Sequence, residues 1–264
     1  MNSIIQNIFE MSPIEFAGFI FISIFALNWL GYRMAKRLSQ LNPGKEITLG
    51  YAEASLFGLM TFLLAFSFGI AATRFESRRQ NIIDEANTIN TAIMRSKLYP
   101  DSIKQWIMPN LKQYVESRIA YYNEGDRPKE DTVIATLTNG DLYFDSIWNK
   151  TSLLTKDKAN QSLAEQMIPV LINMKNSVGT REAARRAKFP ALITIVLVLL
   201  VFVSSFLMGF GVKQGQRNVV ISLAFALMTT ATLYLVFELA RPREGFINLD
   251  NAQQNMIELR KLFH

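Results

Sequence analysis

Read for polarity alone, the chain sets long charge-free stretches against segments whose apolar residues recur every three or four positions. A bilayer core of about 30 Å takes about 20 helical residues to cross. Four stretches meet that length. The first runs from Ile14 to Tyr32, opens at Ser12 and Pro13, and is closed by Arg33, Lys36 and Arg37. Its Glu15 sits where a carboxylate complements the positive end of the helix dipole. The second runs from Ala54 to Thr73 and ends at Arg74. The third, Phe189 to Val212, follows Arg181, Arg185, Arg186 and Lys188. The fourth, Val219 to Phe237, stops at Glu238, Arg241, Pro242 and Arg243. A cleaved signal peptide is the alternative for the first stretch, but no Lys or Arg precedes it and no small-residue cleavage site follows. It is expected to remain as a helix, with Asn28-Trp29-Leu30 as an interfacial anchor.

Asn42-Pro43-Gly44 and Lys213-Gln214-Gly215-Gln216-Arg217 are short polar links. The predicted fold is therefore an all-α membrane protein, four transmembrane helices in two hairpins. Residues 1–73 form the first hairpin, 74–187 a helical extramembrane domain between the second and third spans, 188–240 the second hairpin, and 241–264 a C-terminal tail. Ala72 to Leu98 holds no Gly or Pro, and Ile82, Ile83, Ala86, Ile89, Ala92 and Ile93 keep helical spacing. The second span should thus continue outward as one long helix. A helix over Asp101–Asn123 follows, which Pro109 should kink or divide. After a turn at Gly125-Asp126-Arg127-Pro128 come short helices at Thr132–Thr138 and Leu142–Leu154, separated by Asn139-Gly140-Asp141, with a strand at Val133-Ile134-Ala135 as the alternative. A last helix, Asn160 to Lys188, should run directly into the third span despite Pro169 and Gly179.

Composition narrows the chemistry. Of 264 residues 50% are hydrophobic and 19% charged, with no Cys and one His, the terminal His264. Disulfides, thiolate catalysis and Cys- or multi-His metal sites are excluded, and no phosphate loop or nucleophile motif is present. No enzymatic activity, cofactor or metal is expected. The net charge of +6 is spread beside the apolar stretches instead of forming one patch, which points to lipid headgroups and away from nucleic acid. Asp84, Glu85, Asp141 and Asp145 read as solvated surface.

Small and polar residues inside lipid say more. Ser55, Gly58, Thr61, Ala65, Gly69, Ala72 and Thr73 recur at three-and-four spacing along span two. Close helix packing is one account. The other is a helix facing its own copies around a pathway, with Thr61, Ala65, Gly69 and Thr73 lining it, Ser67 as a further polar point, and Phe62, Phe66 and Phe68 as constrictions. Span four repeats the theme with Ser222, Ala226, Thr229, Thr230 and Ala231. No span carries a charge near its centre, which disfavours ion-coupled pumps and voltage sensors. Arg74, Arg78, Arg79, Arg181, Arg185, Arg186, Lys188, Arg241 and Arg243 share one side by topology. They are headgroup contacts, or a basic collar concentrating anions at a pore mouth.

Glu53 to Gln80, EASLFGLMTFLLAFSFGIAATRFESRRQ, together with Ile82-Ile83-Asp84-Glu85-Ala86-Asn87 and the closing Arg241-Pro242-Arg243-Glu244-Gly245-Phe246-Ile247, resembles the bestrophin-like family over nearly the whole chain. That resemblance implies kinship with bestrophins, pentameric anion channels whose second span lines the pore and whose extramembrane domain is cytoplasmic. The expectation is a homo-oligomeric, anion-permeable channel in the cell (inner) membrane, with lipid and small inorganic ions as partners. The alternative is a non-conducting scaffold or sensor whose helical domain recruits a protein. Sidedness leans cytoplasmic: the short loops, with Arg33, Lys36, Arg37, Lys45, Lys213 and Arg217, favour an outside domain, but the more numerous basic residues on the domain side favour the cytoplasm.

Overall fold

The computed structural model describes residues 11–41, 50–123, 130–187, 190–211, 219–241 and 246–263, apart from the side chains at 52 and 130. The two interhelical links, the turn at Gly125-Asp126-Arg127-Pro128, and Lys188, Arg243 and His264 lie outside the described residues. All regular structure among the described residues is helical: α1 Pro13–Leu41, α2 Gly50–Ser96, α3 Asp101–Asn123, α4 Glu130–Leu154, α5 Gln161–Arg186, α6 Ala191–Phe210, α7 Val219–Ala240 and α8 Asp250–Glu258, followed by a 3-10 turn Leu259–Phe263. Among the described residues four helical stretches are long and apolar enough to cross a membrane, and each overlaps one of the four predicted spans. The chain divides into two compact units, Met1–Thr73 with Lys188–Gly245, and Arg74–Ala187 with Phe246–His264.

In the first unit, α1 starts with a reciprocal capping box. The Ser12 amide donates to Glu15 Oε2 at 2.8 Å and the Glu15 amide to Ser12 Oγ at 3.2 Å, with Pro13 in the first turn. Phe16, Ile20 and Ile24 make one buried face of α1, packed with Met60 and Leu64 of α2, Leu197 and Val201 of α6, and Ala226, Leu233 and Phe237 of α7. Among the described residues the extensive backbone approaches run from α1 to α6 and from α1 to α7. Glycine explains the tightest crossing. A Cβ on Gly31 would strike the Phe206 carbonyl, and one on Gly209 would strike the backbone of Asn28. Asn28 is accordingly buried at this crossing instead of anchoring an interface, whereas Trp29 is exposed and stacks under the Arg33 guanidinium at 3.7 Å.

In the second unit, Ile89 and Ile93 of α2, Ile107, Leu111, Tyr114 and Val115 of α3, Phe144 and Ile147 of α4, and Met167, Leu171 and Met174 of α5 form one core. Helix α2 passes from Gly50 to Ser96 without a break, as its unbroken periodicity predicts. Pro109 does not divide α3, because the proline falls on the exposed side, where the lost backbone bond is not buried. The two short helices and the strand alternative after residue 130 are replaced by one helix, α4. Gly140 there serves a close approach: a Cβ would come within 2.9 Å of Ser117 Oγ on α3. Packing, not turn formation, is what its lack of a side chain provides.

The helix expected over Asn160 to Lys188 is found as α5, Gln161–Arg186. Ala187 turns extended at ψ 95° and Pro190 caps α6 at ψ 114°. Proline supplies no N–H to a continuing ladder, and its ring disfavours helix in the residue before it. In the C-terminal segment Leu249, Ala252, Met256 and Leu259 are buried. Arg260 holds both oxygens of Glu116 at 2.7 and 2.5 Å, and Tyr122 donates to Asp250 at 2.7 Å.

Candidate functional site

Span two presents two unlike faces. Met60, Leu64, Ser67 and Ala71, spaced by three or four, are buried. Thr61, Phe62, Ala65, Phe66, Gly69 and Thr73 are all exposed on the chain by itself, and a Cβ at Gly58 or Gly69 would meet nothing within 4 Å. Phe62 and Phe66 are 65% and 50% exposed and stack on each other with ring centres 6.4 Å apart. The hydroxyls on this face are turned back to their own helix, Thr61 donating to the Phe57 carbonyl and Thr73 to the Gly69 carbonyl, both at 2.9 Å. Such bonds cover a carbonyl and leave a small, weakly polar surface. Ser67, expected beside Thr61, is 0% exposed and belongs to the opposite, packed face.

The basic residues are engaged with their own units. Arg74 donates to the Ala187 carbonyl at 3.3 Å, and Arg78 to the carbonyls of Ala184 and Ala187 at 3.2 and 3.3 Å. Two guanidiniums thus close the carbonyl end of α5, the negative end of its dipole. Arg79 pairs with Glu76 at 3.0 Å. Arg185 and Arg186 both grip Glu182, at 2.6 and 2.7 Å, and Tyr121 donates to the same carboxylate at 2.6 Å. Burial alone would raise Glu182, but the hydrogen bonds from Arg185, Tyr121 and Arg186 hold its carboxyl at about 2. Tyr121 is pushed up to about 12 by burial and by that bond to Glu182. Arg241, in the other unit, donates to the Met11 carbonyl at 2.8 Å and lies over the Phe237 ring.

Beneath this layer the helical domain buries an ion cluster. Glu85, 0% exposed, takes Arg118 Nε on one oxygen and Arg181 Nη1 at 2.6 Å on the other. The expectation that Glu85 is solvated surface is wrong, because it stands one turn from Ile82 and Ile89 on the face of α2 that packs inward. Burial pushes Glu85 up, yet the two arginines outweigh it and hold the carboxyl below its ordinary value. Burial likewise disfavours the Arg118 charge, and Glu85 more than restores it. Both guanidiniums lie against the Tyr121 ring, at 4.7 and 5.1 Å from its centre. Of the other carboxylates, Asp84 accepts from Gln80 at 2.8 Å and Asp141 pairs with Lys175 at 2.6 Å, both on the surface as expected. No group of acidic or His side chains suited to a metal occurs among the described residues.

Comparison with known proteins places this arrangement. A bestrophin-like domain matches residues 18–253. Two crystal structures of a bacterial bestrophin homolog from Klebsiella pneumoniae, one carrying a single substitution, share the fold. The substituted form superposes with a TM-score of 0.74 at 14% identity, over 96% of this chain and 99% of that one. The other gives 0.72 at 15% identity, over 93% and 97%. Among curated proteins the sequence finds no match.

Proposed function

The chain belongs to the bestrophin-like family, and from that premise we propose that it is the subunit of a homo-oligomeric ion channel, permeable to anions, with the second span lining the pore. The observation that carries this reading is the exposed face of span two. Thr61, Phe62, Ala65, Phe66, Gly69 and Thr73 form a continuous stripe that the chain's other spans leave uncovered. Small residues let identical helices approach around an axis, and a phenylalanine ring at two successive turns narrows the passage between them. Five copies in the cell (inner) membrane, with the helical domain in the cytoplasm, complete the proposal.

Purified protein in planar bilayers should pass current whose selectivity or conductance changes with Thr61→Val or Phe66→Ala. A well-folded oligomer that stays silent would sink the channel reading. A cysteine introduced on α4 and labelled from one side of intact cells tests the sidedness.

A non-conducting scaffold or sensor is the second reading, and one observation favours it. Arg74, Arg78, Arg185, Arg186 and Arg241 are occupied by carbonyls, by Glu182 or by Phe237, which weakens the positive field a collar would offer to anions. That reading expects a monomer or dimer without an axial path.

A further inference from the structure

We propose that the buried Glu85–Arg118–Arg181 cluster binds a small monovalent inorganic anion of halide type between its two guanidinium groups. The proposal is independent of whether the protein conducts.

The charge count demands a partner. One carboxylate faces two guanidiniums, all three side chains at most 5% exposed, so the cluster carries one uncompensated positive charge in the domain interior. Among the described residues, the two other carboxylates that act on the cluster's tyrosines are already paired. Glu182 is taken by Arg185, Arg186 and Tyr121, and Asp141 by Lys175. Arginine does not give up its proton in proteins, so the charge stays. An unpaired buried ion is among the costlier things a fold can hold.

The donors are also unspent. Among the described residues, Nη2 of Arg118 and Nη2 of Arg181 are buried without a hydrogen-bond partner, and so is the hydroxyl of Tyr114, one helical turn before Arg118. Both guanidiniums are anchored on one carboxylate and lie beside one ring. The Tyr121 ring lies beside both guanidiniums, whose N–H donors point out in the guanidinium plane. In-plane donors of like charge with one net positive unit suit a compact single anion. A phosphate or sulfate would exceed the charge.

Crystals of the full chain grown with bromide in place of chloride should show an anomalous peak within hydrogen-bonding distance of both Nη2 atoms. A water there, or no density, overturns the proposal. In detergent at constant ionic strength, replacing gluconate with bromide should raise the melting temperature along a saturable curve. Arg181→Lys keeps the charge and a bond to Glu85 but removes the fork nitrogen, and should weaken half-saturation about tenfold or more. An unchanged curve in that variant, or a wild type indifferent to bromide, counts against the site. Should the variant not fold, the wild-type titration and the anomalous map decide the matter.

Discussion

The two units solve the problem of burial in opposite ways. The membrane-spanning unit packs α1 against α6 by removing side chains: Gly31 and Gly209 let backbones meet at a spacing that any Cβ would prevent. The helical domain joins α2, α3 and α5 by inserting long charged side chains, Glu85, Arg118 and Arg181, into the middle of its core. Water supplies the reason. In lipid an apolar helix gains little hydrophobic energy by leaving its surroundings, so close van der Waals packing must hold the helices together. In the domain hydrophobic burial already drives collapse, so a fixed polar cluster can instead select one register, as buried ionic groups do in some proteins.

The comparison is broken most severely at Glu85. Glu85→Ala leaves two buried guanidiniums facing each other, and the helical domain should lose about 3–5 kcal/mol of stability in chemical denaturation. A loss under 1 kcal/mol would mean that the cluster contributes little to the domain's stability. Next is Gly209→Ala, which drives a methyl into the Asn28 backbone. It should cost about 1–3 kcal/mol and lower the melting temperature in detergent while leaving a denaturant-resistant helical domain. Equal losses in both units would erase the distinction drawn above.

Acid should separate the units more gently. Glu182 and Glu85 have folded values below their ordinary ones, so their stabilisation is complete above the unfolded carboxyl value and fades as pH falls. For Glu182 the window runs from about 4.5 down to about 2. The domain should therefore loosen within that range by hydrogen exchange, while α1 and α6 amides keep their protection. The smallest effect is expected at the surface: Arg260→Ala frees Glu116 and should cost at most about 1 kcal/mol, with faster exchange confined to α8 and the 3-10 turn.

Sequence reasoning found some of this and missed some, for traceable reasons. The continuity of α2 was legible because Ala72 to Leu98 keeps one helical period and holds no Gly or Pro. Ser67, read as a further polar point of the pathway, lies about a third of a turn away on the packed side of span two. Glu85 could have been found: it shares its face with Ile82 and Ile89, while Arg118 and Arg181 each stand seven residues beyond a core residue, Leu111 and Met174. Asn139-Gly140-Asp141 misled because a turn signature and a close-packing glycine look identical until the neighbouring helix is known.

Chain order and side-chain type alone determined that four helices can cross a bilayer, since the requirement is a run length measured against hydrocarbon thickness, and they determined the family. Which helices touch was decided only in three dimensions. That α1 meets α6 and α7, that Gly140 faces Ser117, and that Glu85 is shut away with two arginines all depend on faces brought together from positions tens of residues apart. Burial is a property of such meetings, and no local window of sequence contains them.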